Sequence, residues 1–184
     1  VESVRLMRLE SKRPATRKLA ERPNGFLVEN MPKTPYLLIP ETSSERRTYI
    51  PIGFIQPDTI CSNAVKITPN ASLSLFGTLT SEMHMAWVRC VCGRLKSDYR
   101  YSKDIVYNNF PFPVGATSEQ EAVVEEKAQV VLDVRKKHQD TGLSLAKLYD
   151  PNTMPADLLK AHQALDKAVD ACYGVKRVFS SEAK

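Results

Sequence analysis

Between positions 89 and 103 the chain sets Arg89, Arg94, Lys96, Arg100 and Lys103 among Ser97, Ser102, Tyr99 and Tyr101. Guanidinium and ammonium groups pair with phosphate oxygens, and tyrosine rings stack on base faces. Such a run suits a nucleic-acid backbone, with the five cations and the Ser97 and Ser102 hydroxyls positioning phosphates. The competing reading is an ordinary surface on which Arg94 pairs with Asp98. A second candidate set lies upstream, where Glu45, Arg47 and Tyr49 alternate along a stretch with strand character. That alternation predicts one shared face. A carboxylate accepts from cytosine N4, and a guanidinium forks onto guanine O6 and N7, so such a face is suited to base reading. An exposed ion pair between Glu45 and Arg46 or Arg47 is the plain alternative.

Other chemistry is poorly served. Cys90 and Cys92 stand two apart in a helical pattern and point to different faces, while Cys61 and Cys172 have no partner at ligand-like spacing. No metal site is expected, and the thiols are expected to be free in a reducing cytoplasm. His84 and His162 sit within apolar helix patterns as packing histidines, and His138 closes a Lys-Lys-His run suited to a helix C-terminus. An amino-methyltransferase needs a Gly-rich loop for S-adenosylmethionine and an Asn/Asp-Pro-Pro-aromatic motif, and neither occurs. No carboxylate cluster of nuclease type, P-loop or nucleophile elbow is present either. The 184 residues are therefore expected to be non-catalytic by themselves and to bind no cofactor.

Charge is uneven. Residues 1–113 hold 16 Lys and Arg against 10 Asp and Glu, a net of +6, whereas residues 114–184 hold 10 against 11, a net of −1. An excess of cations gathered in one region points to a polyanion-facing lobe joined to a neutral one. No apolar run approaches the roughly 18 residues that span a bilayer, and no signal-peptide core opens the chain. The expected localisation is cytoplasmic, without a membrane partner. The start at Val1 rather than Met suggests a fragment of a longer protein.

The elements that must hold these side chains read as α+β: a small irregular sheet of short strands packed on a central helix, followed by a C-terminal helical hairpin. Strand-like runs are Phe26-Leu27-Val28, Tyr36-Leu37-Leu38-Ile39, Thr48-Tyr49-Ile50, Phe54-Ile55 and Val65-Lys66-Ile67-Thr68. Prolines at 32, 35, 40, 51, 57 and 69 keep them short. Met83, Trp87 and Val91 recur every four residues in a central helix over 80–92 that Gly93 stops. Beyond the linker at 114–117, Ser118-x-x-Glu121 reads as a capping box opening a helix to His138 that Gly142 ends. Pro155 reads as the first residue of a last helix with a Leu158, His162, Leu165, Val169 and Cys172 stripe, ended by Gly174. Two domains are expected, at 1–113 and 114–184.

Long stretches of the chain also resemble one family. TLTSEMHMAWVRCVCGRLKSDYRYSKDIVYNNFPFP, residues 78–113, resembles almost word for word the end of the target recognition domain of bacterial MmeI-like DNA methyltransferases and type IIL restriction-modification enzymes. VRLMRLESKRPATRKLA at 4–20 is similar to its start, SSERRTYIPIGF at 43–54 to its middle, and YDPNTMPADLLK at 149–160 to the small helical region that follows it. The resemblance implies double-stranded DNA and the parent's own methyltransferase domain as partners. It also implies an adenine-N6 methyltransferase as the parent, with S-adenosylmethionine bound outside these residues and with or without an endonuclease. It places base readout at the segment holding Glu45 and Arg47 and at the loop 11–16, with Arg13 and Tyr49 as weaker assignments. A non-catalytic protein-interaction or assembly module with a basic face remains the alternative.

Overall fold

A computed structural model describes residues 1–26 and 31–174. The chain forms two compact units, Val1–Lys33 and Thr34–Lys184. In the first, helix α1 (Glu2–Leu9) and the short helix α2 (Pro14–Lys18) are followed by a 3-10 turn, Leu19–Glu21. Pro14 opens α2 because a proline at the first helical position loses no intrahelical bond. The Arg8 guanidinium closes this unit by donating to the carbonyls of Leu19, Arg22 and Gly25 at 3.0, 2.7 and 2.9 Å. Of the strand expected at Phe26-Leu27-Val28, Leu27 and Val28 lie outside the described residues.

The second unit is α+β, and its described residues form two three-stranded antiparallel sheets where the sequence suggested one. Strands β1 (Tyr36–Pro40), β3 (Gly53–Ile55) and β4 (Val65–Pro69) form the first, in the order β3-β1-β4. Strands β2 (Thr42–Ser43), β5 (Gly93–Leu95) and β6 (Asp98–Arg100) form the second, in the order β2-β6-β5. Glu41 is the crossing point between them: its N–H donates to Ala64 and its carbonyl accepts from Tyr101. The stretch Thr48-Tyr49-Ile50, expected as a strand, is irregular. Pro51 deprives it of a ladder donor, and Tyr49, Ile50 and Ile52 all turn inward instead of alternating.

Helices pack against the sheets. Helices α3 (Leu73–Leu79) and α4 (Glu82–Val91) each start at a serine, Ser72 and Ser81, whose hydroxyl accepts a backbone N–H of the first turn. Helix α5 (Ser118–Gln139) and helix α7 (Ala156–Cys172) form the expected hairpin, with the short α6 (Leu145–Leu148) between them. The capping box lies one residue earlier than expected: Thr117 and Gln120 exchange bonds at 3.3 and 2.8 Å. Gly142, at φ +89°, takes the left-handed turn that ends the α5 segment. Pro155 caps α7 rather than entering it. Leu158, His162, Leu165 and Val169 of the expected stripe are buried.

Within the second unit the sheets, α3 and α4 share one core with the C-terminal helices. Phe76 and Leu79 of α3 and Met85 and Val88 of α4 join one cluster with Val124, Ala128 and Val131 of α5 and Leu158, Leu165 and Val169 of α7. Gly77 is the tightest point, since a Cβ there would lie 2.8 Å from Val124 Cγ1 and 3.2 Å from Ala128 Cβ. The Phe110-Pro111-Phe112-Pro113 strap closes on this unit as well. Phe110 meets the His84 ring edge-on at 4.6 Å, and Tyr173 donates to the Pro111 carbonyl at 2.8 Å.

Candidate nucleic-acid interface

The two candidate sets come together at the second sheet. Strand β2 ends at Ser43, and the chain turns at once: Arg47 N–H donates to Ser44 O at 3.2 Å, which closes a β-turn with Glu45 and Arg46 at its exposed corner. Because β2 pairs with β6, this turn stands beside the hairpin 93–100. The Glu45 N–H donates to Asp98 Oδ1 at 3.3 Å, and the Glu45 carboxylate lies 3.9 Å from the Arg94 guanidinium. Arg94 is held in turn by its stack over the Tyr99 ring at 4.2 Å and by donation to the Ser97 carbonyl at 3.0 Å. At the hairpin tip Lys96 is exposed and has φ +57°.

The shared face expected for Glu45, Arg47 and Tyr49 does not exist, because a turn replaces the strand. Glu45 is exposed; Arg47 is half-buried and its Nη1 donates to Ser43 Oγ at 3.4 Å. Tyr49 is 3% exposed, its ring stacked on His162 at 4.1 Å and its hydroxyl donating to Asp166 at 2.7 Å. Burial and the Asp166 carboxylate together push that phenol far above its ordinary pKa. Tyr49 therefore presents no group to a ligand. Arg13 belongs to the first unit, where it precedes α2, its N–H donating to Ser11 Oγ at 3.2 Å and its side chain exposed.

The other cations divide by how firmly their neighbours hold them. Arg89 is tied to Glu82 by bonds of 2.7 and 3.3 Å along α4, which commits much of its donor capacity. Ser102 accepts from the Ile105 N–H and so caps the π-type turn Lys103–Tyr107. Lys103 is exposed, 3.5 Å from Asp104. Arg100 projects from β6 with its Nε 3.5 Å from Glu41, whose other oxygen takes Lys66 Nζ at 3.0 Å. The Lys66 hydrogen bond, with help from Arg100, holds the Glu41 carboxyl below the usual carboxylate range. Lys66, Arg100 and Lys103 line one open cleft of about 540 Å³. Lys66 was missed from sequence. Nothing in a Val-Lys-Ile-Thr strand shows that pairing of β1 with β4 sets its lysine beside the other sheet.

The buried histidines are held in the core. Burial drives His84 down to about 3 while its Nε2 pairs with Tyr101 OH at 2.9 Å. His162 is neutral for the same reason. Arg135 Nε donates to the Tyr149 oxygen, and the Tyr149 hydroxyl pairs with His162 Nε2 at 2.7 Å. His138 bonds Asp157 at 2.8 Å, and that bond with Lys137 lowers the Asp157 carboxyl to about 2. Cys90 is exposed and Cys92 buried, as their spacing implied, and among the described residues no three potential metal ligands gather. Among the described residues no helix is long and apolar enough to cross a membrane.

An exposed turn bearing a carboxylate and guanidinium groups is thus braced by a basic hairpin on a small sheet. The chain belongs to the MmeI family: the profile of the MmeI target recognition domain matches residues 1–114 and that of the MmeI C-terminal domain residues 116–184. DNA methyltransferase A of Bacillus subtilis (strain 168) is 41% identical over 169 residues, which are 92% of this chain and 19% of that protein. The solved structure of the type IIL restriction-modification enzyme MmeI in complex with DNA is 48% identical, with a TM-score of 0.86 over 99% of this chain and 24% of that one. The chain thus spans about a fifth to a quarter of these relatives.

Proposed function

We propose that this chain is the DNA-reading part of an adenine-N6 methyltransferase of the restriction-modification type, placing a target base for a catalytic domain elsewhere in the same cytoplasmic protein. The observation that carries the reading is the exposed 44–47 turn braced against the basic hairpin 93–100, in a family with a relative solved in complex with DNA. Glu45 and Arg47 contact base edges, with Arg13 as a further candidate. Lys96, Arg94, Arg100 and Lys103 contact phosphates, with Ser97 as a neutral donor. Arg89 and Ser102, which are committed to Glu82 and Ile105, contribute mainly by holding the backbone. S-adenosylmethionine serves the parent enzyme, and these 184 residues, without a Gly-rich loop or an Asn/Asp-Pro-Pro-aromatic motif, contain no fit for it. The domain boundary we adopt, 1–113 and 114–184, marks a division of labour across one shared core.

A salt series on the full-length protein tests this. Replacing Lys96, Arg100 and Lys103 together by Ala weakens binding alike for all sequences and flattens the slope of log affinity against log salt by about 0.9 for each phosphate no longer neutralised. An unchanged slope means that these cations meet no phosphate, and the assembly-module reading then takes precedence.

A further inference from the structure

We infer that Tyr49 and Asp166 are specificity-positioning residues, through which the C-terminal helix α7 fixes the stance of the 44–47 turn relative to the hairpin 93–100. The inference rests on the base-reading role proposed for Glu45 and Arg47. On its outer side the turn has weak tethers: a 3.3 Å bond to Asp98 and a 3.9 Å approach to Arg94 between half-exposed side chains. On its inner side the chain dives into the core at Tyr49, two residues past Arg47. There the Tyr49 hydroxyl donates to Asp166 Oδ2 at 2.7 Å, and Asp166 Oδ1 accepts the Glu82 N–H at 2.7 Å. Glu82 opens α4, and α4 runs directly into β5 and the hairpin that carries Arg94. One buried carboxylate therefore grips both the base-reading turn and the helix that feeds its brace.

A second tie extends the same buried network, in which Tyr49 stacks on His162, His162 pairs with Tyr149 and Tyr149 accepts from Arg135. Arg135 of α5 donates to the Ile52 carbonyl at 2.6 Å and to Thr80 Oγ1 at 3.4 Å, joining the end of the 44–52 segment to the C-cap of α3, at the α3–α4 junction that Glu82 closes. Core packing alone does not require polar bridges to converge on these same two segments from two helices. Bidentate base contacts tolerate displacements of roughly 0.5 Å, so a turn anchored this way is fixed where readout needs it. Buried charge-assisted bonds supply that fixity far better than exposed pairs.

The test uses the full-length protein with Tyr49→Phe and, separately, Asp166→Asn. Methylation is measured on the cognate site and on every site differing by one base pair. The expected result is that discrimination falls about tenfold at the base pair read by Glu45 and Arg47. It stays within about twofold at the other base pairs, with the salt slope of DNA binding unchanged. Equal loss at every base pair, or no loss at any, overturns the inference; the Phe variant, which deletes one oxygen, decides the matter should the Asn variant fold poorly. Glu45→Ala and Arg47→Ala run in parallel. Without a position-specific effect from these two the base-reading proposal fails and the inference with it; with one, and none from Tyr49→Phe, only the positioning role is overturned.

Discussion

Lys96 occupies a left-handed backbone conformation, φ +57°, at a hairpin tip where glycine would sit without strain. A non-glycine residue there costs about 1 kcal/mol or more, which is reason to look for what its side chain does. Beside it, Glu45 approaches Arg94 at 3.9 Å and its N–H donates to Asp98 at 3.3 Å, so these groups gather at one end of the sheet. If Glu45 and Arg47 read one base pair, carboxylate toward cytosine and guanidinium toward guanine, then exchanging their charges alters that base pair alone. Glu45→Lys with Arg47→Asp in the full-length protein should change the recognised motif at one position, each broken base pairing costing about 1–3 kcal/mol of discrimination. Sequencing methylated positions in DNA from cells that make the variant reads this directly. A uniform fall in activity with the motif unchanged would remove both residues as readers. At this scale residue type was visible in sequence, but partnership was not. Tyr49 looks like an available aromatic in the chain and is a core phenol bound to a residue 117 positions away.

Helix α3 meets α5 and α7 at Gly77, where close approach rather than backbone freedom demands glycine. A methyl group there would meet Val124 Cγ1 at 2.8 Å, and a β-branched side chain inside a helix has little rotamer freedom to yield. The helix-propensity gain of Ala over Gly, about 1 kcal/mol, is outweighed by overpacking of about 1–3 kcal/mol. Gly77→Ala should therefore lower stability by about 1 kcal/mol, and Gly77→Val by more, in chemical denaturation with an unchanged m-value. A more stable Ala variant would show that the helices part easily at this point. The long helices α4, α5 and α7 were legible because their apolar positions recur with helical period and their ends carry Ser, Thr, Pro and Gly signals. The short α3 and the hairpin 93–100 were not, because seven or eight residues hold too few periods to distinguish helix from strand. Thr48-Tyr49-Ile50 failed for a different reason: its composition favours a strand, yet Pro51 removes a ladder donor and Tyr49, Ile50 and Ile52 all turn into the core.

Across the molecule, the basic excess of the first 113 residues and the neutrality of the remainder suggest separable parts, but the packing joins them. Phe76, Leu79, Met85 and Val88 rest on α5 and α7, and Arg135 reaches from α5 to Ile52 and Thr80. A chain ending at residue 114 should therefore fail to unfold cooperatively, exposing apolar surface that binds a hydrophobic dye. Thr34–Lys184, the larger compact unit, should retain a single thermal transition. A cooperative, dye-silent 1–114 fragment would contradict the shared core.

The sequence alone determined the fold class, the long helices, the uneven charge and the family, since these depend on residue type at short spacing and on long runs of local identity; the caps of α5 and α7 fell one residue from where it put them. Only the tertiary structure decided that Glu45 and Arg94 share a surface, that Lys66 joins Arg100 at Glu41, and that Tyr49 is an anchor. Each of these pairs is brought together by strand register or helix packing across 25 or more positions, a separation at which local pattern carries no information.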